Sequence, residues 1–386
     1  MSPLVEIIRR EIAEHGVLSF AHFMELALYC PNFGYYEVKK DSPGRRGDFY
    51  TSVSAGELFG QLLAFQFAAW LDELMTFNPQ LSTLNVCEAG AHDGRLAADI
   101  LKWLQAHRPE LSAQLEYRII EPSARRQDWQ KATLKNYAPR VHWFSNISEL
   151  VERDSVESSL HGVIFSNELL DAMPVHRFGW DAKKQEWFEW GVALEGDKFG
   201  WARCSGSPAP QGGERAGARG TFENSPSSIF HLPSSLLDVL PDGYTIETCP
   251  AAENWWREAA AILERGRLLT IDYGLTNDEL FSPGRTRGTL RAYSRQHATD
   301  DVLANPGEQD LTAHVNFSTI QSVGEACGLK TDTFFSQAQF LTRIAEKIFK
   351  NPESFGEWGA KQNRQFQTLT HPEHLGRAFR VLVQSR

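Results

Sequence analysis

The stretch that most limits what this chain can fold into is LNVCEAGAHDGRLAADILKWL, residues 84–104. It opens on a short apolar run, Leu84, Val86 and Cys87. It closes on Leu96, Ala97, Ile100, Leu101 and Leu104, apolar positions at helical spacing. Between them lie Glu88, Gly90, His92, Asp93 and Gly94. The pattern predicts a buried strand, a glycine turn and a helix. That is the opening unit of a doubly wound α/β domain, whose ligands bind at the carboxyl ends of the strands. Gly90 permits a sharp turn after the strand, and Gly94 lets the helix start approach a ligand closely.

The same spacing excludes ligands. A dinucleotide fingerprint requires G-x-G-x-x-G, and His92 stands at its second glycine position. A phosphate-binding P-loop ends in Gly-Lys-Ser/Thr, whereas Arg95 and Leu96 follow Gly94. An acidic residue at a strand end followed by Gly-x-x-x-Gly suits S-adenosylmethionine (SAM), a nucleoside with a sulfonium cation and no phosphates. An ordinary tight strand-to-helix turn has the same pattern.

Further strands are predicted at 117–121, 141–144, 162–168 and 268–274, with a helix at about 318–326 and a strand near 331–335. Glu121 ends the second of the core strands, where an acid in nucleoside-binding folds hydrogen-bonds ribose hydroxyls. An acid there also suits the positive end of the next helix. The strand at 162–168 runs into Asn167, Glu168, Asp171, Pro174 and Val175. Two carboxylates and an amide then fall on the ligand side of the sheet, more than a helix cap requires.

The expected organisation has several parts. An N-terminal helical region, 1–80, packs on the core, and Ser19 is an N-cap within it. The α/β core takes 81–175 and 250–345. A β-rich insertion on the substrate side takes 176–249, with tryptophans alternating with polar residues and a Gly/Pro/Ala-rich, mobile linker at 205–220. Residues 346–386 are read as a C-terminal extension.

Charge and cysteine usage narrow the function. The net charge of −10 argues against nonspecific nucleic-acid binding and agrees with a basic substrate. The cysteines, at 30, 87, 204, 249 and 327, are odd in number, scattered and without C-x-x-C, so neither a zinc site nor a disulfide framework is indicated. His314 is read as a hydrogen-bonded structural histidine, and no metal is expected. The charged amphipathic start lacks a signal peptide's apolar core, and no run of 18 apolar residues occurs. The expectation is a cytoplasmic protein without membrane insertion.

At this point the motifs resemble a known family, the MidA-like SAM-dependent methyltransferases, bacterial relatives of the mitochondrial complex I assembly factor that methylates arginine. The resemblance spans nearly the whole chain. It rests on residues 19–29 with Gly34, Tyr35 and Tyr36; on Gly47, Asp48 and Phe49 with Thr51 and Ser52; and on Asn167, Glu168, Asp171, Ala172, Pro174 and Val175. It continues through Cys249–Ala252, 271–274, 288–293 and 306–315. The family's cofactor turn usually reads Glu-x-Gly-Pro-Gly-x-Gly, and here His92 and Asp93 stand in its second half.

The resemblance implies a methyltransferase fold and SAM as cofactor. It implies that Glu88, Gly90, Gly94, Glu121, Asn167, Gly47, Asp48, Thr51 and Ser52 hold the cofactor. It also implies an arginine of a protein partner as acceptor, a respiratory complex I subunit among the candidates. A carboxylate pair can grip a guanidinium through bidentate bonds, so Glu168 and Asp171 are the catalytic candidates, with Asp272 the third. Two alternatives stand beside this: a noncatalytic assembly factor, favoured by the altered turn, and a small-molecule methyltransferase on the same fold.

Overall fold

Leu84–Ala89 forms a strand, β1, in which every residue is buried. A strand covered on both faces needs a continuous apolar run, and the sequence supplies one apart from Asn85 and Glu88. The structure, a computed structural model, describes residues 2–38, 51–81, 83–153, 160–204, 239–282, 284–294 and 297–386. Gly47, Asp48 and the predicted linker at 205–220 lie outside the described residues. The chain divides into two units, an α/β unit (Lys40–Asp171, Trp255–Gly274 and Ile320–Arg386) and a β-rich unit (Met1–Lys39, Ala172–Asn254 and Leu275–Thr319).

In the α/β unit β1 is joined by β2 (Leu115–Ile120), β3 (Val141–Phe144), β4 (Leu160–Asn167), β5 (Leu263–Leu275), β6 (Lys330–Ser336) and β7 (Phe379–Ser385). Their order across the sheet is β6-β7-β5-β4-β1-β2-β3. The strands from β5 to β3 are parallel, and β7 runs antiparallel to both β5 and β6. The chain winds outward from β1 to β3 and returns to β4 on the other side of β1. This reversal opens a crevice at the carboxyl ends of β1 and β4, where ligands of such sheets bind.

Two helices cover one another and the sheet. Leu58–Phe77 (α1) buries Leu58, Leu62, Phe67 and Leu71, and Arg95–His107 (α2) buries Leu96, Ala97, Ile100, Leu101 and Leu104, which for α2 are the positions expected from its spacing. With Phe165, Ile271 and Phe379 from the sheet they form one apolar core.

The α/β class is therefore as expected, but the C-terminal segment is not an extension. Phe379–Ser385 is an interior strand, paired from Arg267↔Ser385 to Tyr273↔Phe379 on one side and with β6 on the other. Val381 and Leu382 are fully buried. An apolar run of this kind needs neighbours on both sides, and the sequence does not say which strands provide them.

The β-rich unit contains the predicted insertion as strands His176–Asp181, Glu186–Glu195, Lys198–Arg203 and Thr245–Thr248 in an antiparallel sheet. Phe178, Trp180, Trp187, Leu240, Tyr244 and Ile246 form its core, so these aromatics serve packing. The N-terminal region does not stay together as one body on the core. Leu18–Ser19 pairs with Gly191–Val192, and helices Pro3–His15 and Phe20–Tyr29 belong to this unit, whereas α1 belongs to the other. Ser19 caps its helix as expected, its Oγ accepting the His22 N–H at 3.2 Å. The polar stretch after β5 forms a small sheet of Arg291–Ser294, His297–Thr299 and Asp310–Thr312.

Candidate active site

The glycine turn and the exit of β4 meet at the crevice of the α/β unit. Gly90 has φ +74°, a value that favours glycine, and its N–H donates to the Ile120 carbonyl at 3.2 Å. A Cβ on Gly90 would stand 2.8 Å from Leu169 Cδ1. The two informative stretches of the sequence are thus packed against each other. Gly94, at φ +82°, starts α2.

Two carboxylates flank the turn. Glu88, at the end of β1, is 2% exposed and accepts the Tyr117 hydroxyl at 2.6 Å. Burial pushes its carboxyl up to about 7; the Tyr117 hydrogen bond opposes this, and the charge of Asp93 adds to it. Glu121, after β2, is fully buried. Its oxygens accept the Ser123 N–H at 3.0 Å and Gln130 Nε2 at 3.1 Å, and Arg126 Nη2 lies 2.9 Å away. Gln130 also donates to the His92 carbonyl at 3.1 Å, which ties the turn to the helix after β2. Tyr117, Arg126 and Gln130 join the site without a signal in the sequence. Nothing in their spacing marks them, because strand pairing and a helix face bring them in.

At the exit of β4 the backbone is constrained. Glu168 has φ +52°, unusual for a residue with a side chain, and its N–H donates to the Ile271 carbonyl at 2.9 Å. Its Oε1 accepts the Ser52 N–H at 3.2 Å and Asn167 Nδ2 at 3.1 Å. Ser52 is itself buried, its Oγ donating to Gln337 Oε1 at 2.9 Å. Thr51 and Ser54 close a local turn, each N–H donating to the other's hydroxyl at 2.9 and 3.0 Å. Of the predicted set, Ser52, Asn167 and Glu168 therefore come into direct contact, and Thr51 adjoins them.

Asp171 and Asp272 form a second pair. Asp272 is fully buried on β5; its Oδ2 accepts the Leu169 and Leu170 N–H groups at 3.1 and 2.8 Å, and its Oδ1 the Tyr273 N–H at 2.8 Å. A hydrogen bond joins it to the Asp171 carboxyl. Burial pushes Asp272 up to about 7, against the backbone N–H groups of Leu170, Leu169 and Tyr273 and the bond to Asp171. Such a bond between two carboxyls holds a proton. Asp272 thus fixes the turn that carries Glu168 and Leu169.

This arrangement has a pH signature. In an unfolded chain Asp titrates near ~3.9, so Asp272 binds its proton more tightly in the folded state. Its contribution favours folding below that value and is lost as the pH rises through about 7. Asp272→Asn puts an NH₂ against one of the three N–H donors and should cost about 1–3 kcal/mol near pH ~5. Because asparagine does not ionise, the deficit narrows by about pH 8. Denaturant unfolding at both pH values checks this; a deficit that stays constant would remove Asp272 as the titrating group.

The residues fit a polar nucleoside cation. Carboxylates stand at the carboxyl ends of both β1 and β2, and among the described residues His92 Nε2 and Asn167 Oδ1 are buried with no hydrogen-bond partner. Orphaned polar atoms beside such a crevice are satisfied when a polar ligand arrives.

Comparison with known proteins agrees with this geometry. A family model for S-adenosyl-L-methionine-dependent methyltransferases matches residues 62–335. A Drosophila melanogaster homolog of the mitochondrial protein arginine methyltransferase NDUFAF7 is 26% identical, over 98% of this chain and 84% of its own length. The Homo sapiens protein arginine methyltransferase NDUFAF7 is 25% identical, over 98% and 82%. A Burkholderia thailandensis crystal structure with S-adenosyl-homocysteine bound is 31% identical, covers 99% of this chain and 92% of its own, and superposes with a TM-score of 0.77.

Proposed function

The chain belongs to the S-adenosyl-L-methionine-dependent methyltransferase family that matches it over residues 62–335, and from that premise we propose that it methylates an arginine of a protein partner. SAM supplies, when bound, an electrophilic methyl group on a sulfonium. The protein must hold an acceptor nitrogen in line with it, and alignment of this kind supplies much of the rate.

The observation that carries the reading is the Glu168 carboxylate, held at a constrained strand exit beside the glycine turn. A guanidinium is planar, permanently charged and a donor in a fixed fork. Glu168, with Asp171, is suited to grip it through charge-assisted bonds. The acceptor nitrogen gains a methyl group and loses a proton, which the Asp171–Asp272 pair can take up once it has given up its own, above about pH 7. Glu88, Gly90, Gly94, Glu121 and Asn167 would hold the cofactor, with Thr51 and Ser52 supporting Glu168. The relatives named as protein arginine methyltransferases support the arginine. A cytoplasmic setting belongs to the same proposal, and the cysteines are free of disulfides.

The first test is calorimetric titration with SAM and with S-adenosyl-homocysteine. If Glu88 meets the cofactor, SAM affinity rises with pH through about 7, because Glu88 ionises there and attracts the cation. An affinity that is flat across that range would separate Glu88 from the cofactor. Transfer of labelled methyl groups to protein follows, with a respiratory complex I subunit, the acceptor that the resemblance implies, tried first. Methylarginine after hydrolysis supports the reading, and label confined to small molecules overturns it. Absence of binding by both ligands to folded protein would favour the assembly-factor alternative.

A further inference from the structure

The loop over residues 284–291, Gly-Arg-Thr-Arg-Gly-Thr-Leu-Arg, has no part in the chemistry above. It lies in the β-rich unit, where Arg285, Arg287 and Arg291 line an open cavity of about 640 Å³. An adjoining cavity of about 190 Å³ shares Arg287 and Arg291 and adds Arg177, Trp201 and Leu290.

The loop is anchored from beneath. Glu247 accepts the Thr289 N–H at 2.8 Å and its hydroxyl at 3.3 Å, and lies 3.5 Å from Arg177 Nε. Thr289 Oγ1 in turn accepts the His314 N–H at 3.0 Å. Arg177 is held over the Trp201 ring at 4.5 Å. His314 is pushed down to about 4, by burial first and then by the charges of Arg285 and Arg291, so its imidazole is neutral and adds no charge.

Carboxylates also border the cavities, and their bonds decide the balance. Glu279 turns back to cap its own helix, its carboxylate accepting the Thr276 N–H at 2.9 Å. Asp300 is 74% exposed and 3.7 Å from Arg291. Asp278 lines the larger cavity on the solvent side, an exposed residue. Arg285 donates to the Glu279 carbonyl at 3.2 Å, and among the described residues neither Arg285 nor Arg287 has an ion-pair partner. Two guanidiniums with no ion-pair partner among the described residues thus share one cavity in a chain with a net charge of −10.

We propose that this arginine-lined cavity binds an acidic segment of the protein acceptor, its carboxylates paired with Arg285 and Arg287. The inference rests on the protein-acceptor reading above. Guanidinium forks match carboxylates in geometry as well as charge. The larger cavity falls in the range of pockets that enclose ligands of many atoms (~300–1,000 Å³), far more room than a lone inorganic anion needs. The Trp201 and Leu290 side chains of the smaller cavity offer an apolar place beside the charges.

The test is fluorescence anisotropy on the full chain, with a labelled peptide of alternating glutamate and glycine around a central arginine. A second peptide carries glutamine for glutamate, and inorganic phosphate is the competitor. The glutamate peptide should bind at least about tenfold more tightly at low salt, and Arg285→Ala and Arg287→Ala should each lose about tenfold. SAM titration of both variants should match the parent protein, which shows that they are folded. Equal affinity for the two peptides, or no effect of either substitution, overturns the proposal. Displacement by phosphate as strong as that by unlabelled peptide overturns it too, in favour of a small-anion site. Methyl transfer to protein is measured in parallel. Transfer without acidic preference defeats this inference alone, and acidic binding that needs Arg287 without methylarginine defeats the earlier reading alone.

Discussion

Glu168→Gln should lower the turnover of methyl transfer by about two orders of magnitude while leaving SAM affinity nearly unchanged. Glutamine keeps the size of the side chain and an oxygen that can accept the Ser52 N–H and Asn167 Nδ2. The backbone at φ +52° is held by the bond to Ile271 and by the Asp272 contacts of the following residues, which the substitution does not touch. The fold and the cofactor crevice therefore persist. What disappears is the negative charge facing a cationic acceptor, and removal of one preorganised electrostatic partner costs about 10²–10³ in kcat. Labelled transfer and calorimetry on the same preparation check both halves. Unchanged turnover would remove Glu168 from the mechanism, and lost SAM binding would reassign it to the cofactor.

The largest effect on stability belongs to Gly162→Ala. Gly162 lies on β4 opposite Asn85 of β1 and Gly266 of β5. A Cβ there would stand 1.9 Å from the Asn85 carbonyl oxygen, and φ is +154°. On the other side a Cβ on Gly266 would meet the Gly162 carbonyl oxygen at 1.8 Å. The obstacles are backbone atoms of paired strands, which cannot rotate away as a side-chain tip can. Relief requires the centre of the sheet to part, and we expect a loss of more than about 3 kcal/mol, toward the upper end for single substitutions. Against a total stability of about 5–15 kcal/mol, this removes a large share of the margin. Denaturant melts followed by circular dichroism give the comparison; a midpoint equal to the parent's would contradict so close an approach of the strands.

Much of the α/β unit is legible in the chain. β1, the glycine turn and α2 are visible because a strand buried on both faces must be apolar throughout and a helix buried on one face repeats its apolar residues every three or four positions. The strand exits bearing Glu88, Glu121 and Glu168 follow from the same patterns. What closes around these carboxylates does not. The Ser52 N–H reaches Glu168 from 116 positions away, Tyr117 reaches Glu88 across a strand pair, and Asp272 holds Leu169 and Leu170 from a strand more than 100 residues later.

The division of the chain shows the same limit. Residues 1–39 carry amphipathic helices whose apolar faces fit any apolar surface, and only tertiary packing assigns them to the β-rich unit. Phe379–Ser385 carries the short apolar run Val381–Val383 of a buried strand, yet its place between β5 and β6 depends on which edges remain open when the parallel strands have paired. The sequence by itself determined the local elements and the chemistry at their ends, because steric preferences and periodicity act between near neighbours. The tertiary structure alone decided which elements pair and which groups close on the carboxylates, because many pairings bury the same apolar faces and only the whole chain distinguishes among them.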